Sequence, residues 1–392
     1  MDAQEKTRWV CERAKSLGFG LCGVAPAEAW PELAHFSEWL ERGYGGEMHY
    51  LSKSGSGEPL RSNPANILSG ARSVILVALN YNSPHPRSTD QVRAAGDASA
   101  NGTSPRGWIS RYAWGDDYHD VLGPKLAALI AAMRAEFPEP FDARWYVDTG
   151  PINERVAAKY AGLGWLAKNT FLINEKAGSW IFLGSIVTTL ELAPSLSPGR
   201  PPAPDRCGSC TACLDACPTQ AFPAPYILDA RRCIAYLTIE LRGSIPEEFR
   251  PAIGANVLGC DICQDVCPWN RKSPLTSAPE FQPRALSRPE ISAAVAPAPD
   301  SLFAPELVWL ASLSQEDFSR IFRKSAVKRA KWRGLVRNAC VALGNSRLAP
   351  GSPAFPRVTA LLEKLAASDE PVIAEHARWA LDRLQAPASS KN

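Results

Sequence analysis

The chain has 392 residues, of which 45% are hydrophobic and 21% charged, and its formal net charge is only +3. Such a composition describes a soluble globular protein with room for two or three domains. It excludes a membrane-spanning helix, because the longest apolar stretches, such as Val74 to Leu79, fall far short of the ~20 residues a bilayer helix needs.

At the start of the chain, Met1 to Lys6 hold neither a twin-arginine pair nor an apolar export core, so a cytoplasmic location is expected. Trp9, Val10, Ala14 and Leu17 then recur at helical spacing, Val74 to Leu79 reads as a buried strand, and Val121 to Met133 as a helix. Arg144 to Val147 forms a short predicted strand that runs into the turn Asp148-Thr149-Gly150-Pro151, with a helix from Ile152 to Ala161 behind it. Trp180 to Leu183 and Ile186 to Leu190 add apolar, β-branched segments, and the alternation points to an α/β (α+β) layered domain over 1–195. Two roles are open to Asp148: hydrogen-bonding the turn and capping the next helix, or serving as a general acid on a rigid strand end. Gly162 and Gly164 allow the backbone to lie close to a large flat cofactor. No G-x-G-x-x-G fingerprint precedes a helix, so a nicotinamide site of that type is unsupported.

Proline-rich stretches at 194–205 and 279–305 read as stiff connectors and mark off a middle region, 196–280, from a C-terminal one, 281–392. Eight of the 11 cysteines fall in the middle region, as Cys207-x2-Cys210-x2-Cys213-x3-Cys217-Pro218, a lone Cys233, and Cys260-x2-Cys263-x3-Cys267-Pro268. The first run has the bacterial ferredoxin spacing, in which three thiolates hold one cube and the fourth, before proline, reaches to the other. With Cys233 completing the count, Cys207, Cys210, Cys213 and Cys267 are assigned to one 4Fe-4S cluster and Cys217, Cys233, Cys260 and Cys263 to a second. Structural zinc also uses C-x2-C pairs but rarely three cysteines at successive x2 steps, and disulfides do not suit a reducing compartment. Cys11, Cys22 and Cys340 sit in apolar surroundings and read as inert core thiols.

The C-terminal region reads as all-helical and weakly repetitive: Ala339 to Leu343 and Ala377 to Leu381 match at a spacing of 38 residues, near the HEAT-type period. Two such units cannot bury their apolar faces alone and should pack on the rest of the chain. Between Phe318 and Leu362 there is no acidic residue, while Arg320, Arg323, Lys324, Lys328, Arg329, Lys331, Arg333, Arg337, Arg347 and Arg357 are all basic. A face of that kind either attracts a polyanion such as nucleic acid or is simply solvated.

Taken together these segments resemble the epoxyqueuosine reductase family, and the resemblance runs through nearly the whole chain. It is carried by Gly45-Gly46-Glu47-Met48-His49-Tyr50-Leu51, Arg61-Ser62-Asn63-Pro64, Gly70 to Ile75, Arg111-Tyr112-Ala113 and Asp117-Tyr118-His119. It continues through Val147 to Pro151, Gly162 to Trp165, Lys168-Asn169-Thr170, Gly178-Ser179-Trp180, both cysteine runs and the basic tail. The resemblance implies a cobalamin-binding catalytic domain, a ferredoxin-like domain with two 4Fe-4S clusters, and a HEAT-like tRNA-binding domain. It implies that the clusters pass single electrons to cobalamin, whose cob(I) state acts on the epoxide of epoxyqueuosine in a tRNA anticodon loop. Asp148 matches the family's proton donor, which lets the oxygen leave as water, and a carboxyl in that role is expected to have a raised pKa from burial against the cofactor. By the same matching, Arg61, Tyr112, Asp148, Asn169, Leu172, Leu183 and Gly184 contact cobalamin, and Arg329, Lys331 and Arg333 contact tRNA.

Three departures stand out. Ala167 occupies a position that is often glycine in the family, and Lys53 to Pro59 lacks the usual basic motif. His119 lies in Asp117-x-His119-x-x-x-Gly123, one residue longer than the cobalt-ligating histidine pattern, which implies that it does not ligate cobalt and that the cobalamin is base-off. The expected partners are tRNA and an external electron donor of unknown identity, for a chain acting as a monomer. The competing readings are a reductive dehalogenase, which also joins cobalamin to two clusters, a plain electron-transfer protein, and a nucleic-acid-binding module with structural clusters.

Overall fold

In a computed structural model of the chain, residues 1–55, 58–90, 104–197, 201–286 and 301–386 are described. The central sheet contains β1 (Leu21–Pro26), β2 (Ser73–Asn80), β3 (Ala143–Tyr146) and β4 (Ile181–Thr188), in the order β1-β2-β4-β3. Each pair is antiparallel, so of the two arrangements that the alternation of elements allowed, the sheet takes the α+β one.

β2 is apolar along almost its whole length because both of its faces are covered. Ile75 and Val77 pack toward α1 (Ala3–Ser16) and α2 (Tyr118–Glu136), with Val10, Leu122 and Leu126. Val74 and Leu76 pack on the other side against Ala157 and Ala158 of α3 (Glu154–Tyr160). This is the period-two alternation of a strand expressed as two separate cores. The Asp2 side chain caps α1 in a reciprocal box with Glu5. The helix expected from Ile152 begins two residues later, after Asn153, which leaves Pro151 and Ile152 in the connecting loop.

The cysteine-rich region is fastened to the sheet by buried polar side chains. Asn270 accepts a 2.8 Å bond from the Ser179 amide, just before β4, while the Gln264 side chain donates to the Ser179 carbonyl at 3.1 Å. Gly178 has φ +69°, and a Cβ there would come within 2.4 Å of Asn270 Oδ1, so the Gly178-Ser179 pair is required by this joint. A second joint forms at Asp261, between Cys260 and Cys263. Its buried carboxyl accepts from the Trp108 indole (3.0 Å), the Arg111 amide (2.8 Å) and the Ser110 hydroxyl. The Arg111 guanidinium is buried over the Trp114 and Trp180 rings and donates to the carbonyls of Ser83, His85 and Pro86.

The C-terminal region is helical among its described residues, with α5 (Lys331–Gly344), α6 (Phe355–Ala366) and α7 (Pro371–Gln385). The matching segments around Ala339 and Ala377 lie in α5 and α7, which touch so closely that a Cβ on Gly344 would come 2.8 Å from the Ala380 backbone. As the shortage of repeats requires, the apolar faces are buried against the rest of the chain. One cluster contains Trp108 and Trp114, then Val257 and Leu258, then Leu335, Val336 and Ala339. Arg337, counted above among the basic residues, is not on the surface at all. It is fully buried and donates to the carbonyls of Leu237 (2.7 Å), Leu241 (3.0 Å) and Gly243 (2.5 Å), pinning α5 to α4 (Ile234–Ile239). Burial lowers its pKa to about 9, and the three carbonyls compensate for the lost hydration. Among the described residues no helix is long and apolar enough to cross a membrane.

His376, buried in α7, accepts from the Ile245 amide through Nε2 (3.1 Å) and holds the Val372 carbonyl through Nδ1 (2.7 Å). That pairing needs the neutral ring, and burial pushes its pKa down to about 4 from 6.5. A depressed value means that this stability is present above pH 6.5 and is lost as the pH falls toward 4. Urea unfolding should show a loss of about 3 kcal/mol across that window. His376→Gln should flatten the slope, and an unchanged slope would contradict the neutral pairing.

Candidate active site

A cleft of about 1540 Å³ opens where the sheet, the cysteine-rich region and the basic end of the C-terminal region meet. It exceeds the ~300–1,000 Å³ of common ligand pockets and suits a large cofactor. Of the residues matched to the cofactor, Arg61, Tyr112, Asp148, Leu172 and Leu183 line it. Asn169 and Gly184 do not. Asn169 is buried and donates to the Cys263 carbonyl at 3.2 Å, bracing the Lys168-Asn169-Thr170 loop on the cysteine run. Gly184 faces the opposite side of β4, against Leu126 and Val77, because neighbouring strand residues point to opposite faces.

Asp148 follows β3 at the point where the chain reverses. Its φ is +55°, and the Thr149 amide bonds back to the Val147 carbonyl at 2.5 Å, a tight three-residue turn that strains an L-residue. The carboxyl is exposed in the cleft, and Tyr118 Oη donates to it at 2.9 Å. Burial, with the Asp148 charge next, raises the Tyr118 pKa far above the ordinary phenol value, so this tyrosine keeps its proton. Its ring stacks on Phe182 (4.6 Å) and His119 (4.2 Å). His119 Nδ1 contacts Asp117 at 2.7 Å, while its buried Nε2 is left without a partner.

A carboxyl with a raised pKa lies six residues on, at Glu154, half-buried on the wall of the same cleft. Glu154, the first residue of α3, has its carboxyl enclosed between the Asp148 amide, 3.2 Å from each oxygen, and the Ser185 hydroxyl at 3.4 Å. Burial pushes it up to about 8, and the charge of Asp148 adds to the effect. Arg61 is buried on the other side of the same loop and donates to the carbonyls of Gly150 (2.7 Å) and Ile152 (3.2 Å), leaving Nε unpaired. Neither Glu154 nor Tyr118 is distinguishable by residue type alone; Tyr118 lies within Asp117-Tyr118-His119, and Glu154 in the helix expected from Ile152 to Ala161.

The thiols act on one another electrostatically, across as well as within the two expected groups. The charges that act on Cys213 are those of Cys267, Cys207 and Cys210, and with burial the strongest cause they push it up to about 11. Cys263 is pushed up by burial and then by Cys233, Cys213 and Cys217, and Cys260 by burial and then by Cys263 and Cys233. Cys210 is exposed at the surface, whereas Cys233 and Cys260 line the cleft. Among the described residues no three His, Cys, Asp or Glu groups converge as a single metal ion requires. At the rim, Arg329 makes a two-pronged contact with Glu240 (2.8 and 2.7 Å) and lies over the Tyr50 ring. Arg333 stands 3.6 Å from Glu370, and Lys331 is exposed.

Two family models match the chain. Residues 206–270 match the 4Fe-4S double cluster binding domain, and residues 61–149 match the one described as Epoxyqueuosine reductase QueG, DUF1730. Epoxyqueuosine reductase of Pseudomonas aeruginosa is 41% identical, over 94% of this chain and 92% of the relative. The chain belongs to the epoxyqueuosine reductase family. The Escherichia coli member is 38% identical over 97% of this chain and 88% of its own length. A crystal structure of epoxyqueuosine reductase with an epoxyqueuosine-modified tRNA-Tyr stem loop superposes with a TM-score of 0.78 at 32% identity, covering 98% of this chain and 91% of that one. The Bacillus subtilis enzyme, in a structure with its aspartate-bearing catalytic loop swung out of the active site, gives a TM-score of 0.76 at 32% identity and the same coverage, 98% and 91%.

The raised value at Glu154 carries a sign that can be measured. A carboxyl whose folded pKa is about 8 against 4.5 unfolded contributes stability that is full below pH 4.5 and is lost as the pH rises through 8. Glu154→Gln should flatten the decline between pH 5 and pH 8, which is up to about 4 kcal/mol. Denaturant midpoints for the two proteins at the two pH values decide it.

Proposed function

We propose that this chain reduces epoxyqueuosine to queuosine in tRNA, with Asp148 as the proton donor, cobalamin in the cleft and the two cysteine groups as its electron supply. The observation that carries the reading is the position of Asp148, exposed on a strained turn in a cleft whose walls also include Cys233 and Cys260 and whose rim includes Lys328 and Lys331. The net change is an epoxide plus two electrons and two protons giving an alkene and water.

Cobalamin fits the residues present. Arg61 presents a buried, unpaired N–H for an amide oxygen of the corrin periphery, and Leu172 and Leu183 offer apolar surface beside Tyr112. When bound, the cofactor supplies a strongly reducing cobalt centre. Asp148 gives its proton to the epoxide oxygen, which makes it a better leaving group, and Tyr118 Oη holds the carboxyl in place through their 2.9 Å bond. The burial pattern supports an order for the relay. The group Cys207, Cys210, Cys213 and Cys267 includes a surface thiol and receives electrons from an external donor. The group Cys217, Cys233, Cys260 and Cys263 delivers them at the cleft.

Anaerobic incubation of the reduced holoprotein with epoxyqueuosine-bearing tRNA should yield a nucleoside lighter by one oxygen, and no such product would defeat the proposal. Cys233→Ser should lose about four of roughly eight irons. Retention of both clusters would remove Cys233 from the ligand set. Arg329 and Arg333 already face carboxylates, so the tRNA contact is expected to depend most on Lys331. Lys331→Gln should weaken tRNA binding and reduce the slope of log affinity against log salt by about 1. Titrations over a range of salt concentrations give that slope directly.

A further inference from the structure

We propose that Glu154 is a positioning residue for the reaction: its carboxyl holds the Asp148 amide and thereby sets the turn from which the proton donor faces the cleft. The inference rests on the reading of Asp148 given above and extends it to a residue of the same cleft wall that acts through the Asp148 backbone.

A three-residue turn at φ +55° is not a conformation that Asp148 adopts unaided. Within the turn, the Val147 carbonyl takes the Thr149 amide, which leaves the Asp148 N–H to find another partner. That partner is Glu154, with both oxygens 3.2 Å away. Glu154 is itself referenced to rigid structure, since it begins α3 and receives the Ser185 hydroxyl from β4 at 3.4 Å. Arg61 secures the following stretch through Gly150 and Ile152, but it makes no bond to residue 148. The loop is thus held on carbonyls by a cation and on one amide by a carboxyl, and the carboxyl acts on the residue that bears the acid. Protonated or ionised, Glu154 presents an acceptor oxygen to that amide, and so does glutamine.

The test uses holoprotein with clusters and cobalamin loaded, and compares Glu154→Ala, Glu154→Gln and Asp148→Asn. Three quantities are read: single-turnover rate, tRNA affinity, and deuterium uptake in the peptide spanning 144–153. Glu154→Ala should slow turnover by about 100-fold, as expected for a displaced catalytic group, with tRNA affinity within ~2-fold of the parent and faster uptake in that peptide. Glu154→Gln should stay within ~5-fold of the parent rate and keep the parent uptake. A parent-like rate or parent-like uptake in Glu154→Ala would overturn the proposal, and so would a glutamine variant as slow as alanine. If Asp148→Asn is slow while Glu154→Ala is not, only the role of Glu154 fails. If Asp148→Asn turns over at the full rate, the reading of Asp148 itself is wrong.

Discussion

The buried carboxyl of Asp261 is the joint on which this architecture turns. It sits between two cysteines of one run and is held by Trp108, Ser110 and Arg111, the segment that also presents Tyr112 to the cleft. A buried charge of this kind is costly unless every lone pair is used, and breaking its contacts strands the charge inside the protein. The spacing between the cysteine region and the Tyr112 wall of the cleft is therefore set by hydrogen bonds. Apolar packing follows the same joint, since Trp108, Val257 and the C-terminal helices share one cluster. Asn270 and Gln264 repeat the arrangement on the other side, at Ser179.

Several arginines of this protein are used inward. Arg61 stabilises a loop, Arg111 lies under two tryptophans, and Arg337 ties three carbonyls across a helix boundary. Guanidinium suits these places because its planar set of donors can satisfy several carbonyls at once. Glu240 takes up the charge of Arg329 at the rim. The surface available to a polyanion is consequently narrower than the run of basic residues implies.

The turn at Asp148 shows how two carboxyls six residues apart acquire different properties. Asp148 stands exposed beside a tyrosine that keeps its proton, and Glu154, half-buried on the wall of the same cleft, is pushed up to about 8. The half-buried group stabilises a backbone conformation that the exposed group needs, so the strain at the turn and the burial of Glu154 belong to one device.

By itself the sequence determined the cysteine arithmetic, the family segments, the buried strand β2 and the helical character of the C-terminal region. These are properties of spacing and periodicity, which short stretches of chain carry whatever surrounds them. Only the tertiary structure decided which charged side chains are inside. Residue counting placed Arg337 on a basic face, whereas packing buried it, and packing also set the half-buried Glu154 behind the amide of an Asp148 that stands open in the cleft. Segment matching likewise put Asn169 and Gly184 at the cofactor, but the first turns to the Cys263 carbonyl and the second to the far face of β4. The physical reason is common to all of these. Whether a polar group faces water, a carbonyl or a cleft depends on neighbours far away in the chain, and no local pattern encodes them.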